Sequence, residues 1–173
     1  EAGNRLADLD DLPPAMDHFA ALLAMQPAST ATEEKLRQLA ERGGHHDRYA
    51  DGVAAAARGA EEPTRRVQLL GEAARTRLER LNDVERSIEL LVEASSISGA
   101  DETEQLGIAR RLGALYEQTD RPRERLGILE RQAHLEANET ARSALLSEAA
   151  KLAESLGDSE RALSLWERRI DSD

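Results

Sequence analysis

Residues 69–91 read LLGEAARTRLERLNDVERSIELL, and residues 145–166 read LLSEAAKLAESLGDSERALSLW. The copies lie 75 to 76 residues apart, with one residue of difference ahead of the turn. Half that distance falls on RRLGALYEQTDRPRERLGILERQ, residues 110–132, and a step back reaches EKLRQLAERGGHHDRYADGVAAAA from Glu34. A partial copy, RLADLDDLPPAMDHFAALLAMQP at residues 5–27, opens the chain. Equivalent points just inside each second segment, Pro14, Arg48, Arg86, Arg125 and Arg161, are separated by 34, 38, 39 and 36 residues. A period of that size marks a unit that cannot bury its apolar face alone, so neighbours stack and share a continuous core.

The units are helical. Ala, Glu, Arg and Leu dominate, all strong helix formers, and no stretch alternates with period two. Turn signals at Asp10–Pro14, Gln26–Thr32, Arg42–His46, Gly59–Thr64, Asn82–Asp83, Ser98–Asp101, Asp120–Pro122, Asn138–Thr140 and Gly157–Ser159 leave about nine helices, too often broken for a coiled coil. Thr30 with Glu33 and Asp101 with Glu104 have capping-box spacing, and Pro63 and Pro122 suit a first helical turn. The expected organisation is one repeat domain over 1–173, in units 1–29, 30–62, 63–100, 101–138 and 139–173, cut from a longer protein of bacterial type.

These residues resemble the tetratricopeptide repeat (TPR) family. Leu112, Gly113 and Tyr116 look like its Leu-Gly then Tyr in the first helix; Gly157, Ala162 and Trp166 resemble its turn Gly followed by Ala and a bulky apolar residue; Ala15, Phe19, Leu22 and Pro27 resemble the end of the pattern. The likeness spans essentially the whole chain and implies an all-α, right-handed α-solenoid of about four and a half antiparallel helix pairs. The departures are steps mostly longer than 34, three glycines (Gly107, Gly113, Gly127) in one helix pair, and Tyr49 in a slot that usually holds a small residue. They leave a HEAT-like or otherwise divergent helical repeat open.

With 23 basic against 34 acidic residues the net charge is −11, which opposes a phosphate backbone or an anionic membrane over most of the surface, so nucleic acid is not expected as a partner. No apolar run approaches a membrane span, and no charged-then-apolar leader opens the chain. The absence of cysteine removes thiolate chemistry and disulfides and leaves cytoplasm and periplasm both open. No nucleophile elbow, phosphate-cradling loop or dinucleotide fingerprint is present, so neither an enzyme nor a cofactor is expected.

The remaining constellations have structural readings. The four aromatics, Phe19, Tyr49, Tyr116 and Trp166, sit in different units and read as core knobs; truncating Trp166 or Leu129 to Ala is expected to cost about 2–5 kcal/mol. His45, His46 and Asp47 are adjacent residues in a turn, a poor arrangement for one metal ion, and no metal is expected. Acidic pairs such as Glu33–Glu34, Glu61–Glu62 and Asp10–Asp11 read as helix-start charges. Arginine outnumbers lysine 21 to two; a groove lined with its planar fork would suit acidic segments, while partners three or four residues away, as in Glu79–Arg80–Asp83 and Arg121–Arg125 with Glu124, would occupy it on the helix surface.

In TPR-like arrays the first helices of successive pairs line the concave face, and the resemblance places Gln38, Glu41, Arg75, Arg110, Glu117, Gln118 and Lys151 there. It implies a scaffold whose groove takes a partner peptide or helix; the alternative is a regulatory module that binds a small peptide or ligand and controls an attached effector domain. Family members that grip C-terminal chaperone peptides use Asn and Lys on those helices; Asn82 lies at a turn, so that role is not implied. Unpaired end faces predict concentration-dependent self-association.

Overall fold

The computed structural model describes residues 12–170, all of whose regular structure is helical. The helices are α1 Leu12–Met25, α2 Thr30–Gly43, α3 His46–Gly59, α4 Pro63–Leu81, α5 Val84–Ser95, α6 Glu102–Gln118, α7 Pro122–Leu135, α8 Glu139–Ser155 and α9 Ser159–Ile170. They form two compact units, one ending at Asp101 and the other beginning at Glu102. The expected turn residues Asp10 and Asp11 lie outside the described residues.

The turns inside the helix pairs share one mechanism. Gly44, Asn82, Asp120 and Gly157 all adopt positive φ, at 70°, 51°, 52° and 76°. The next N–H then closes onto the last turn of the preceding helix: His45 to Ala40, Asp83 to Arg77, Arg121 to Tyr116, Asp158 to Ala153. Two of those next residues cap the second helix, Asp83 accepting from the Arg86 N–H and Asp158 from the Arg161 N–H, both at 3.2 Å. The repeat therefore resides in its left-handed hinge as much as in its apolar pattern.

Other starts differ from expectation. Ser29, not Thr30, caps α2: its backbone is extended and its Oγ accepts from the Thr32 N–H at 3.3 Å, so the helix begins one residue earlier than the capping-box spacing suggests. Glu33 is thereby free to meet Arg65 of α4. At α4, Glu62 caps ahead of Pro63 by accepting from the Thr64 N–H at 2.8 Å and from the Arg65 N–H, which holds its carboxyl below the usual range.

In the first unit α1 packs on α2 and α3, α3 on α4, and α4 on α5, so each helix leans on neighbours in file. Small residues set the spacing of α1 and α3: a Cβ on Gly52 would lie 3.0 Å from Ala20 Cβ, and one on Gly59 would lie 3.2 Å from the Ala24 carbonyl. Leu23, Leu36, Val53, Leu69, Leu70, Leu90 and Leu91 are essentially inaccessible. The second unit runs α6, α7, α8, α9 in the same manner, with Leu126, Leu129, Leu146, Ala149, Ala150, Ala153, Ala162 and Leu165 as a shared core.

Of the aromatics, Tyr49 and Tyr116 are buried as expected, whereas Phe19 and Trp166 are only partly so. Trp166 packs along the edge of the second core, donates Nε1–H to Glu154 at 2.9 Å and carries the Arg169 guanidinium 5.8 Å from its ring centre. Its indole thus has a polar tip and a cationic cover, the behaviour of a large amphipathic side chain at a margin.

The three glycines of α6 and α7 have different roles. Gly113 lets α7 approach α6: a Cβ there would lie 2.7 Å from Gln132 Nε2, which is buried and donates to the Ala109 carbonyl at 2.9 Å. Gly107 and Gly127 face open space. Gly107→Ala and Gly127→Ala are each expected to stabilise by about 0.5–1 kcal/mol through helix propensity. Gly113→Ala gains the same propensity but strands a buried amide at about 1–3 kcal/mol, a net loss of about 1 kcal/mol. Thermal or urea unfolding of the three variants reads the sign directly.

Candidate functional site

The arginine usage resolves into straps between helices. Arg48 of α3 holds Asp17 of α1 at 2.8 Å, Arg58 of α3 holds Glu93 of α5 at 2.9 Å, and Arg161 of α9 holds Glu130 of α7 at 2.5 Å. Arg65 of α4 joins Glu33 of α2 and the Pro27 carbonyl, Arg77 of α4 joins Asp51 of α3, and Arg125 of α7 joins Glu148 of α8 and Glu117 of α6. Two expected short-range pairings are not the ones formed: Asp83 lies 3.7 Å from Arg77 and not on Arg80, and Arg125 holds Glu117 and Glu148 of neighbouring helices in place of Glu124. The planar fork spans the gap between helices, a geometry lysine lacks. Most of these pairs are exposed enough to contribute little stability, so their effect is to favour one register of stacking.

Against this background the face formed by α2 and α4 stands out. Between them lies an open cavity of about 120 Å³ with Tyr49 of α3 at its floor. Tyr49 is 2% exposed and donates its hydroxyl to Glu72 Oε1 at 3.1 Å; burial first, and then the Glu72 carboxylate, push the phenol well above its ordinary pKa, so it stays a donor. The bulky ring in a small-residue slot stands between α2 and α4. Arg75 and Arg37 flank it: Arg75 lies on Glu72 through Nε at 3.1 Å, and Arg37 spans Glu34 and Glu41, the latter at 3.1 Å. His46 and Arg80 also line the cavity, and their side chains bond no other described residue. The wall therefore carries three guanidiniums and the carboxylates of Glu41, Glu72 and Glu79, near charge balance.

The expected groove residues divide between the units. Glu41 and Arg75 line this cavity, and exposed Gln38 beside them donates Nε2–H to Glu34 at 2.8 Å. In the second unit Arg110, Glu117 and Gln118 are exposed on α6 and Lys151 on α8. Arg110 is committed to Glu136 at 2.7 Å and Glu117 to Arg125 at 3.1 Å, while Gln118 and Lys151 extend into solvent. Of the residues that the sequence reading missed, Arg37, Glu72 and Arg80 follow from the same face one turn away: positions 37 and 41 on α2, and 72, 75, 76, 79 and 80 on α4, form a stripe on each helix, whereas Tyr49 comes from α3.

Glu136 is the counterpart junction of the second unit. Its carboxylate accepts from the Asn138 N–H at 3.1 Å and from Arg110, and its carbonyl takes Arg142 Nε at 3.0 Å and Nη2 at 2.8 Å. The Asn138 N–H, then Arg110, hold its pKa below the glutamate range. A depressed folded value means stability present above the unfolded range and lost as pH falls through the folded one. The urea midpoint of the second unit is expected to fall on acidification below that range, and Glu136→Gln to flatten the dependence.

Among the described residues no group of three or more His, Asp or Glu is placed to hold a metal ion, and no helix is long and apolar enough to cross a membrane.

Comparison with solved structures places this architecture. BtubC (BKLC) from P. vanneervenii is similar at a TM-score of 0.51 with 16% identity, over 98% of this chain and 76% of that one. A Podosopora anserina protein of nearly identical TPR-like repeats is similar at a TM-score of 0.50 with 16% identity, over 99% of this chain and 92% of that one. No protein-family model and no curated protein matches the sequence. The chain has an all-α, TPR-like helical-repeat fold of the solenoid kind, in a divergent form.

Proposed function

We propose that the chain is a protein-interaction scaffold and that the α2–α4 face of its first unit receives a partner peptide or helix. The observation that carries this reading is the cavity over Tyr49, where a rigid pair of first helices presents paired guanidiniums and carboxylates around an open floor. Arg37 and Arg75 already hold carboxylates in exposed geometry, so an incoming segment exchanges one charge partner for another at little cost. Shape supplied by the stacked core and charge supplied by the stripe together favour one binding register. Gln38, Glu41 and Arg75 are the contact residues of this face, and Arg110, Glu117, Gln118 and Lys151 those proposed on the first helices of the second unit.

Affinity capture from the source cell compares the wild type with a Glu41→Arg, Arg75→Glu double variant. A protein retained by the wild type and reduced about tenfold or more on the variant, with helicity unchanged, supports the reading. Equal retention on both overturns it.

A further inference from the structure

A second depression lies on the opposite edge of the first unit, where α1 and α3 end and α2 and α4 begin. Its volume is about 540 Å³, larger than that of the cavity over Tyr49, and its walls include Met25, Pro27, Ala28, Gly59 and Ala60. Met25 is 78% exposed although it is a large apolar side chain, and a flexible thioether at the mouth of an apolar depression adapts to what enters. The chemistry of the rim is equally particular. Glu61 bonds no other described residue, and the Glu62 carboxylate beside it accepts only from its own helix start. The one cation on the wall, Arg65, is neutralised by Glu33 and donates Nε–H to the Pro27 carbonyl. Two helix ends and two capped helix starts meet here, so their partial charges oppose one another and the carboxylates set the sign.

We infer that this edge groove is a second docking surface, which takes a partner segment carrying an aliphatic side chain flanked by Lys or Arg. The aliphatic group fills the floor between Met25 and Ala60, and the flanking cation pairs with Glu61. This surface is independent of the α2–α4 face, so either reading stands or falls without the other.

The test titrates the isotope-labelled chain with the capped tripeptide Lys-Ile-Lys and follows backbone amide shifts. The acidic twin Glu-Ile-Glu and the apolar-deleted Lys-Ser-Lys serve as comparisons. Lys-Ile-Lys is expected to give saturable shifts at Met25, Ala60 and Glu61 with a dissociation constant of about 1 mM, and each comparison peptide to bind about tenfold more weakly or worse. Glu61→Lys is expected to weaken Lys-Ile-Lys about fivefold and Met25→Asp to abolish saturation, both substitutions being at exposed positions that leave the remaining amide spectrum in place. Absence of saturation by ~10 mM, equal binding of the three peptides, or shifts confined to the residues around Tyr49 would each overturn the inference. Concentration-dependent shifts at Met25 and Ala60 without peptide would overturn it too, because a second copy of the chain would then be the occupant.

Discussion

Tyr49→Ala is expected to destabilise the first unit by about 3–5 kcal/mol, the range for removing a buried aromatic side chain. Three losses coincide: the ring is 2% exposed, its hydroxyl holds Glu72 at 3.1 Å, and it stands at the floor between α2 and α4. Tyr49→Phe removes only the hydroxyl and leaves Glu72 on Arg75, so it is expected to cost about 1 kcal/mol. The pair of variants separates packing from hydrogen bonding. Urea unfolding followed by circular dichroism reads both, and a Phe variant as unstable as the Ala variant would mean that the hydroxyl, not the ring, holds the helices in place. Binding at the α2–α4 face is expected to be lost in the Ala variant and kept in the Phe variant, because the floor persists only in the latter.

The second large effect is Leu129→Ala, at about 2–5 kcal/mol, because Leu129 is 4% exposed within the core shared by α7, α8 and α9. Sequence pattern alone places Trp166→Ala in the same range. The structure separates them: the indole is half-buried, its N–H rests on Glu154 and its face is partly covered by Arg169, so about 1–2 kcal/mol is expected from truncating it. Unfolding of the Leu129 variant can be followed by the fluorescence of the single tryptophan. A Trp166 variant that loses as much as the Leu129 variant would place the indole inside the core after all.

Arginine shows best where linear reading stops. A side chain with a reach of several ångströms was expected to find its acid on the same helix, since residues three and four apart are neighbours there. Arg37, Arg75 and Arg86 do so. Arg48, Arg58, Arg65, Arg77, Arg125 and Arg161 instead reach a different helix, because stacking brings acids 23 to 35 residues distant within 3 Å. Nothing in local spacing distinguishes the two groups. Likewise the positions of Glu41 and Arg75 on first helices, where they line the α2–α4 cavity, were legible, while Tyr49, which forms the floor, sits on a second helix and enters only because α3 packs against α4.

What the linear order of residues determines here is the helix-pair repeat. Helix propensity, apolar period and the hinge at Gly44, Asn82, Asp120 and Gly157 are local properties, written within a turn or two of where they act. What the tertiary structure alone decides is which charges face one another, that a Cβ on Gly113 would meet Gln132 while Gly107 and Gly127 face open space, and where the surface opens into the α2–α4 cavity and the edge groove. Those depend on distances between residues far apart along the chain, and such distances exist only once the helices have packed.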